Sequence, residues 1–511
     1  MDAIELSIFS SRISAVCDEM GAVLRRSSFS PNIKDRLDYS CAIFDARGEL
    51  CAQAAHIPVH LGSMAYALKG VVDSVEWAAD DMLIFNDPYL GGTHLPDVTV
   101  VAPVFLDNEI LGFAVNRAHH ADIGGNSPGS MPISRHLEEE GMIIPPTFLV
   151  KQGKIDQPFF DSLIGNVSNP AQAFGDFSAQ VSANSLGVDR IHSLFAKDGL
   201  AVFEQSIVAL NEYAERLAMS TLKEIPDGDY CFSDVMDDDG CGQTDIAIKV
   251  HVEVKGHSVN VDFSGTADQV SGNINCPLSV AAAAVYYVFR CLMPAQTPAC
   301  AGSFRAIKIF APEGCLLNAR RPAAVAAGNV ETSTRVVDVI MGALVQAIPE
   351  SMGAASHGSM NNVAMGARSS TKSWDYYETI GGGMGAHKLG RGLSAVQTHM
   401  TNTLNTPIES LELHYPLRIT RYEIRNDSAG VGQNAGGEGL LREFEFLDNA
   451  QVTLLTERRT HSAWGINGGE SGAPGENWYD GKKIGGKVCL QVQTGKKLTI
   501  KTPGGGGYGK H

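Results

Sequence analysis

The stretch that most limits how this chain can fold runs from Asn86 to Asp122, NDPYLGGTHLPDVTVVAPVFLDNEILGFAVNRAHHAD. Val98 to Phe105 is apolar and rich in β-branched residues, Leu106-Asp107-Asn108-Glu109 reads as a turn, and Ile110 to Val115 is apolar again. That pattern predicts a β-hairpin. Placing Phe105 opposite Ile110 fixes the register by subtraction: Asp97 falls opposite Ala118, Pro96 opposite His119 and Leu95 opposite His120. Facing residues lie about 5 Å apart, so His94 and Asp97 at the foot of one strand can share a cation with His119 or His120 at the foot of the other. Two imidazoles and a carboxylate with a position left open suit a catalytic divalent ion, Zn or Mn. Pro96 inside His94-x-x-Asp97 predicts a stiff bend rather than a helical turn. Gly91 and Gly92 before it, and Gly124 and Gly125 after it, let backbone approach the ion or its substrate. The plainer reading is a strand end whose histidines bond to backbone. It is outweighed by three histidines and several aspartates converging under one register.

At 511 residues the chain exceeds a single ordinary core, which predicts two lobes. An amphipathic helix over Val202 to Leu222 stops before Pro226. Beyond it, Ile246 to Val254 and Ser258 to Phe263 alternate like strands about a turn at Lys255 to His257. The expected boundary therefore lies near residue 225, between an N-terminal lobe (1–225) carrying the metal-site hairpin and a C-terminal α+β lobe (226–511) with glycine-rich loops. Hairpins and helices mix without a βαβ rhythm, so the fold class is α+β, with mixed, largely antiparallel sheets and packed helices. A net charge of −17 and a pI near 5.3 argue against a nucleic acid or an anionic membrane as partner. No apolar run reaches the length of about 18 residues that suggests a membrane span. The acidic start, MDAIELSIFSSRI, lacks a signal peptide's charged n-region and cleavage site. A cytoplasmic protein, mature from Met1, is the expectation. The 10 cysteines form no C-x-x-C pair and are expected to be reduced and mostly buried.

Periodicity predicts further helices over residues 5 to 24, Ser63 to Val75, from about Asp176 to Arg190, Ala281 to Leu292 and Arg335 to Ile348. It also predicts a strand and tight turn over Asp38 to Leu50, and a strand Met82 to Phe85 that delivers Asp87 to the site. His56 and His60 are four apart, a spacing that shares a face only on a helix. Pro58 opposes one, so a structural or ligand-orienting role is expected. Asp122 to Ser130 reads as a lid over the hairpin base. Glu138-Glu139-Glu140 reads as a solvated acidic face. Asp237-Asp238-Asp239-Gly240 reads as a solvated turn, because the bidentate glutamate of a calcium loop is missing. The runs Gly381 to Lys388 and Gly504 to Gly509 do not fit G-x-x-x-x-G-K-[ST], and no match occurs anywhere in the chain, which argues against ATP binding by that route. They read either as flexible loops or as backbone donors near substrate.

Several of these segments together carry a family likeness. The segments are Lys34-Asp35-Arg36-Leu37-Asp38-Tyr39-Ser40-Cys41-Ala42, Ala55-His56-Ile57-Pro58-Val59-His60-Leu61-Gly62-Ser63-Met64, Asn86-Asp87-Pro88-Tyr89, Gly91-Gly92-Thr93-His94-Leu95-Pro96-Asp97, Asp262-Phe263-Ser264-Gly265-Thr266 and the terminal Pro503 to Gly509. With them the chain resembles the hydantoinase B family over nearly its whole length. The resemblance implies a metal-bearing subunit of an ATP-dependent cyclic amidase. An A-type partner with an actin-like ATPase fold would hold ATP and Mg and phosphorylate a hydantoin, oxoproline or lactam ring, in a hetero-oligomer such as α2β2. It implies a divalent ion at His94, Asp97 and His119, with water of lowered pKa as the nucleophile. His120 or Asp122 would accept the proton, although exchange of ligands among His119, His120 and Asp122 stays open. The alternative that it implies is a subunit of an ATP-dependent ketone carboxylase, in which the ion stabilises an enolate.

Overall fold

Val98 to Ala102 and Phe113 to Val115 present apolar or small side chains to both faces of the hairpin, so it must lie in the middle of a sheet covered on both sides. In the computed structural model, which describes residues 2–54, 56–368 and 373–511, it does. Ala55, at the head of the first histidine segment, lies outside the described residues. Seven strands, β1 (Tyr39–Asp45), β2 (Leu50–Gln53), β3 (Met82–Phe85), β4 (Asp97–Leu106), β5 (Glu109–His119), β6 (Thr147–Lys151) and β7 (Lys154–Ile155), form one antiparallel sheet in the order β2-β1-β5-β4-β3-β6-β7. The helix Pro58–Val72 covers one face, packing Leu61, Met64 and Leu68 among Phe44, Phe85, Val101 and Phe113. The helices Ala3–Ser27, Pro170–Asp198 and Leu200–Leu222 cover the other, around Ile43, Ala114 and Ala118. Amide side chains fasten that second layer: Gln180 Nε2 donates to the Val98 carbonyl (2.8 Å) and Asn184 Nδ2 to the Val100 carbonyl (2.9 Å).

The expected register is off by one. Phe105 faces Ile110, but Val104 faces Gly112, so Leu111 stands outside the ladder as a bulge and every later pair is displaced: Val98 faces Ala118 and Asp97 faces His119. A Cβ on Gly112 would stand 2.4 Å from the Phe44 carbonyl oxygen, so the step in β5 is built where no side chain intervenes. Two helix starts also move. The helix expected from Ser63 begins at Pro58, and the one expected from Asp176 begins at Pro170, capped by Asn169 Oδ1 accepting from the Gln172 amide at 3.2 Å. Proline opposes a helix interior but suits its first residue, where no N–H is needed.

Beyond residue 225, β8 (Gly228–Asp238), β9 (Thr244–Lys255), β10 (Ser258–Asp262) and β11 (Ile307–Phe310) form a sheet in the order β11-β10-β9-β8. Its β10–β11 pair is the only parallel one among the described residues. The helices Leu278–Leu292 and Ser333–Leu344 share its core. Two further sheets follow. β12 (Asn362–Ala367) and β13 (Trp374–Glu378) join β16 (Ala450–Leu455) and β19 (Lys487–Val492) in the order β13-β12-β16-β19. β14 (Leu417–Arg425), β15 (Gly439–Phe446), β17 (Glu476–Tyr479), β18 (Lys482–Ile484) and β20 (Lys497–Lys501) run in the order β14-β15-β20-β17-β18. The two sheets enclose one core of Val363, Tyr376, Phe444, Val452, Leu498 and Ile500. The expected mixture of helices with largely antiparallel sheets is what the chain adopts.

The glycine runs are packed, not flexible. A Cβ on Gly504 would lie 1.8 Å from the Ser428 carbonyl oxygen, on Gly505 2.1 Å from that of Met384, and on Gly506 2.1 Å from that of Trp464. Backbone meets backbone there, and any side chain would force the loops apart. Two supposedly solvated acidic runs are partly buried as well. Asp237 accepts from the Arg459, Thr460 and His461 amides, and Asp239 from those of Cys241, Gln243 and Gly272. Glu140, fully buried, accepts from Ser134 Oγ and from the Val325 and Ala326 amides. All ten cysteines are free and six are buried. No helix among the described residues is long and apolar enough to cross a membrane.

Candidate metal centre

His94 reaches its place through a chain of local constraints. Asp87 caps a short 3-10 turn, Pro88–Leu90, by accepting from the Tyr89 amide at 3.0 Å, and Gly91 leaves that turn at φ +105°, a conformation that favours glycine. Asn86 Nδ2 holds the Leu95 carbonyl at 2.8 Å. Pro96 bends the chain so that the Asp97 amide returns to the His94 carbonyl at 3.1 Å. Asp97 then opens β4 and His119 closes β5, directly opposite.

The three side chains converge in a fully enclosed position. His94 Nε2 and His119 Nδ1 each lie 3.2 Å from Asp97 Oδ1, and ligand atoms of all three lie within 4.8 Å of one another. The other carboxylate oxygen, Oδ2, is surrounded by donors: Thr93 Oγ1 at 2.7 Å, Asn329 Nδ2 at 3.1 Å and His60 Nε2 at 3.2 Å. Tyr377 stacks on the His119 ring at 4.7 Å and 10°, and its hydroxyl donates to Asn362 Oδ1 at 2.6 Å. Burial alone would raise the Asp97 carboxyl, but the His60 and His94 imidazoles outweigh it and hold the group well below the usual carboxylate range. Burial lowers His119.

These residues fit a cation. His94 Nδ1 lies 3.1 Å from the Ala326 carbonyl, an acceptor only, so Nδ1 carries the hydrogen and the lone pair is left on Nε2. Left without a second proton, that lone pair points at a carboxylate oxygen, acceptor against acceptor; burial lowers the His94 pKa, but the Asp97 charge raises it on balance. His94 Nε2 and His119 Nε2 are both buried without a hydrogen-bond partner. A positive charge between them relieves the conflict. A divalent ion is held by the same donor types, with the His94 ring fixed from behind by a carbonyl.

The other predicted site residues lie elsewhere. His120 comes directly after the last residue of the strand and turns to the opposite face. Its Nε2 meets Gln180 Oε1 at 2.9 Å and its ring packs on Phe177 at 4.2 Å. Asp122 is committed to its loop, accepting from the Gly124 and Ser168 amides and from Ser130 Oγ. Both line a separate cavity of about 320 Å³ with Asp176 and Asp375, and the structure does not bring them into the cluster. Asp87 pairs with Arg321 instead of entering the site. His56 Nδ1 accepts from the Cys41 amide at 3.1 Å.

His60 takes the ligand-orienting role expected of it, against Asp97 Oδ2, whereas Thr93 and Asn329 were not read as parts of the site. His60 sits in the first turn of the helix that Pro58 begins. Ser40 Oγ accepts from the Ile57 amide (3.2 Å) and donates to His60 Nδ1 (3.3 Å), which leaves Nε2–H to donate to Asp97. Asn329 lies more than two hundred residues from Asp97 in the chain, on a single π-helical turn, Gly328–Thr332, and carried no signal.

The family model described as hydantoinase B/oxoprolinase matches residues 2–511. An uncharacterized protein of Methanocaldococcus jannaschii, MJ0963, is 42% identical, the match covering 100% of this chain and 91% of that one. 5-Oxoprolinase 1 of Arabidopsis thaliana is 38% identical over 100% of this chain, which spans only 42% of that protein's length. The crystal structure of the ATP-dependent caprolactamase from Pseudomonas jessenii superposes with a TM-score of 0.93 at 29% identity, covering 100% of this chain and 91% of that one.

Proposed function

This chain belongs to the hydantoinase B/oxoprolinase family, and on that premise we propose that it is the metal-bearing subunit of an ATP-dependent cyclic amidase. It opens a hydantoin, oxoproline or lactam ring that an A-type ATPase partner, holding ATP and Mg, has phosphorylated. The observation that carries the reading is the enclosed cluster of His94, Asp97 and His119, whose ligand atoms lie within 4.8 Å of one another, with His94 Nε2 3.2 Å from Asp97 Oδ1. Those three side chains would hold a divalent ion, Zn or Mn. Such an ion supplies Lewis acidity and lowers the pKa of water toward neutrality.

The remaining residues supply position. Thr93, Asn329 and His60 saturate Asp97 Oδ2 and leave Oδ1 as the oxygen turned to the ion. Tyr377 and the buried walls exclude bulk water from the His119 side. Phosphorylation by the partner makes the ring carbon electrophilic enough to be attacked, because an unstrained amide resists water. The partner reading is supported by the 42% of 5-oxoprolinase 1 that this chain spans, which leaves most of that polypeptide to other work, and by the absence of a phosphate-loop motif here.

The test is reconstitution. The chain alone is expected neither to hydrolyse ATP nor to open a lactam, and to do both when mixed with an A-type subunit. Full turnover by the isolated chain rejects the division of labour. Incorporation of labelled bicarbonate into product rejects simple hydrolysis in favour of carboxylation.

A further inference from the structure

Beside the cluster, bounded by His119 and by His60 and Asn329, which both touch Asp97 Oδ2, is a cavity of about 20 Å³ whose walls also include Tyr377, Thr379 and Asp38. That is room for one water molecule, and its polar walls offer the two or more partners such a molecule needs. Asn329 is 2% exposed. Its amide orientation follows from its neighbour: Asp97 Oδ2 only accepts, so the group 3.1 Å away must be Nδ2, and Oδ1 is turned from it. Oδ1 is then a buried carbonyl oxygen with no hydrogen-bond partner, a condition that is costly unless something occupies it. The residue is held in place by the π-helical turn Gly328–Thr332, a local distortion often found at functional sites. The turn is itself packed hard, since a Cβ on Gly328 would lie 1.8 Å from the Asn275 carbonyl oxygen.

We infer that Asn329 positions the water that opens the ring: its Nδ2 is anchored on the ion-binding carboxylate while its Oδ1 accepts a hydrogen bond from the water in the adjoining cavity. One side chain thereby ties the nucleophile's orientation to the ligand that holds the ion. The inference rests on the ring-opening reading above for what the water does, but not for its presence.

The test uses the full chain titrated with Mn(II), reading the ion bound and the longitudinal relaxation of water protons per bound ion. Thr93→Val removes one donor to Asp97, and is expected to bind the ion about tenfold more weakly with unchanged relaxation per ion. Asn329→Leu removes the acceptor too, and is expected to lose relaxation per bound ion. With the A-type subunit added, its kcat is expected to fall about a hundredfold at unchanged KM. Wild-type relaxation in Asn329→Leu overturns the inference. Should that variant not fold, Asn329→Val, smaller and equally without an acceptor, is expected to lose relaxation too, and wild-type relaxation there overturns the inference equally. If the wild type relaxes water as described but opens no ring with its partner, the amidase reading fails and the role of Asn329 in holding water stands.

Discussion

Asp97 and His119 face each other across β4 and β5 only because Leu111 is left out of the ladder. That opposition places Asp97 Oδ1 at 3.2 Å from His119 Nδ1 and from His94 Nε2, whereas His120, one residue on, turns to Gln180. His94→Ala and Asp97→Ala should therefore abolish stoichiometric metal in the purified protein. His120→Ala should retain it. Elemental analysis after dialysis measures all three, and loss of metal in His120→Ala would show that the ligand set has been misassigned.

His60 should tune the ion without binding it. Its Nε2 hydrogen orients Asp97 Oδ2, and removing such a supporting contact weakens metal affinity about 10–100-fold. His60→Ala is expected to do so in a competitive chelator titration. His60→Gln, which restores an N–H donor, should recover part of the loss. Equal affinity in all three proteins would assign His60 to packing alone.

Glu331 gives a pH dependence. Burial pushes its carboxyl up to about 8, while Oε1 accepts from the Met360 amide (2.9 Å) and Asn362 Nδ2 (2.6 Å). The folded state thus keeps a proton that the unfolded chain, with an ordinary glutamate near 4.3, gives up. Between roughly pH 4 and pH 8 the folded state binds more protons, so stability from this group is present at the acid end and lost as pH rises. Glu331→Gln keeps the shape and removes the titration. Its melting temperature should gain on the wild type steadily from pH 5 to pH 8, and parallel curves would refute the assignment.

Gly504→Ala should unfold the interlocked loops, because its Cβ would stand 1.8 Å from the Ser428 carbonyl oxygen. A loss of about 4 kcal/mol or more is the expected scale for a clash that cannot relax. Gly495, unlike Gly504, adopts a positive φ, +79°, with open space where a Cβ would stand, and Gly495→Ala should cost only about 1 kcal/mol. Thermal unfolding of the two variants separates close packing from backbone conformation.

The hairpin and its four polar termini were legible because period-two alternation and a four-residue turn are local signals. The one-residue error in register was not, because the bulge answers to the Phe44 carbonyl beside Gly112, a tertiary contact. Pro58 misled because proline reads as a helix breaker in an interior and as a helix starter at the first position, and only the boundary decides. Glu140, Asp237 and Asp239 read as solvated for the same kind of reason: their partners are backbone amides, which every sequence contains and none advertises. Asn329 belongs to the site through a distant turn. The family likeness pointed to His94, Asp97 and His119, which the fold brings together; chemistry alone left His119 and His120 interchangeable, and only His119 faces Asp97.

The weave of glycine backbone around residues 504–506 has a temporal side. Loops built from Met384, Ser428 and Trp464 contact that segment at distances where nothing but glycine fits, yet the ribosome makes it later than any of them. Those loops must wait, unpaired, until the segment emerges and threads between them. Assembly of this part of the molecule thus follows the synthesis of residues 504–506, and a nascent chain paused before Gly504 should be far more open to proteases than one extended past them.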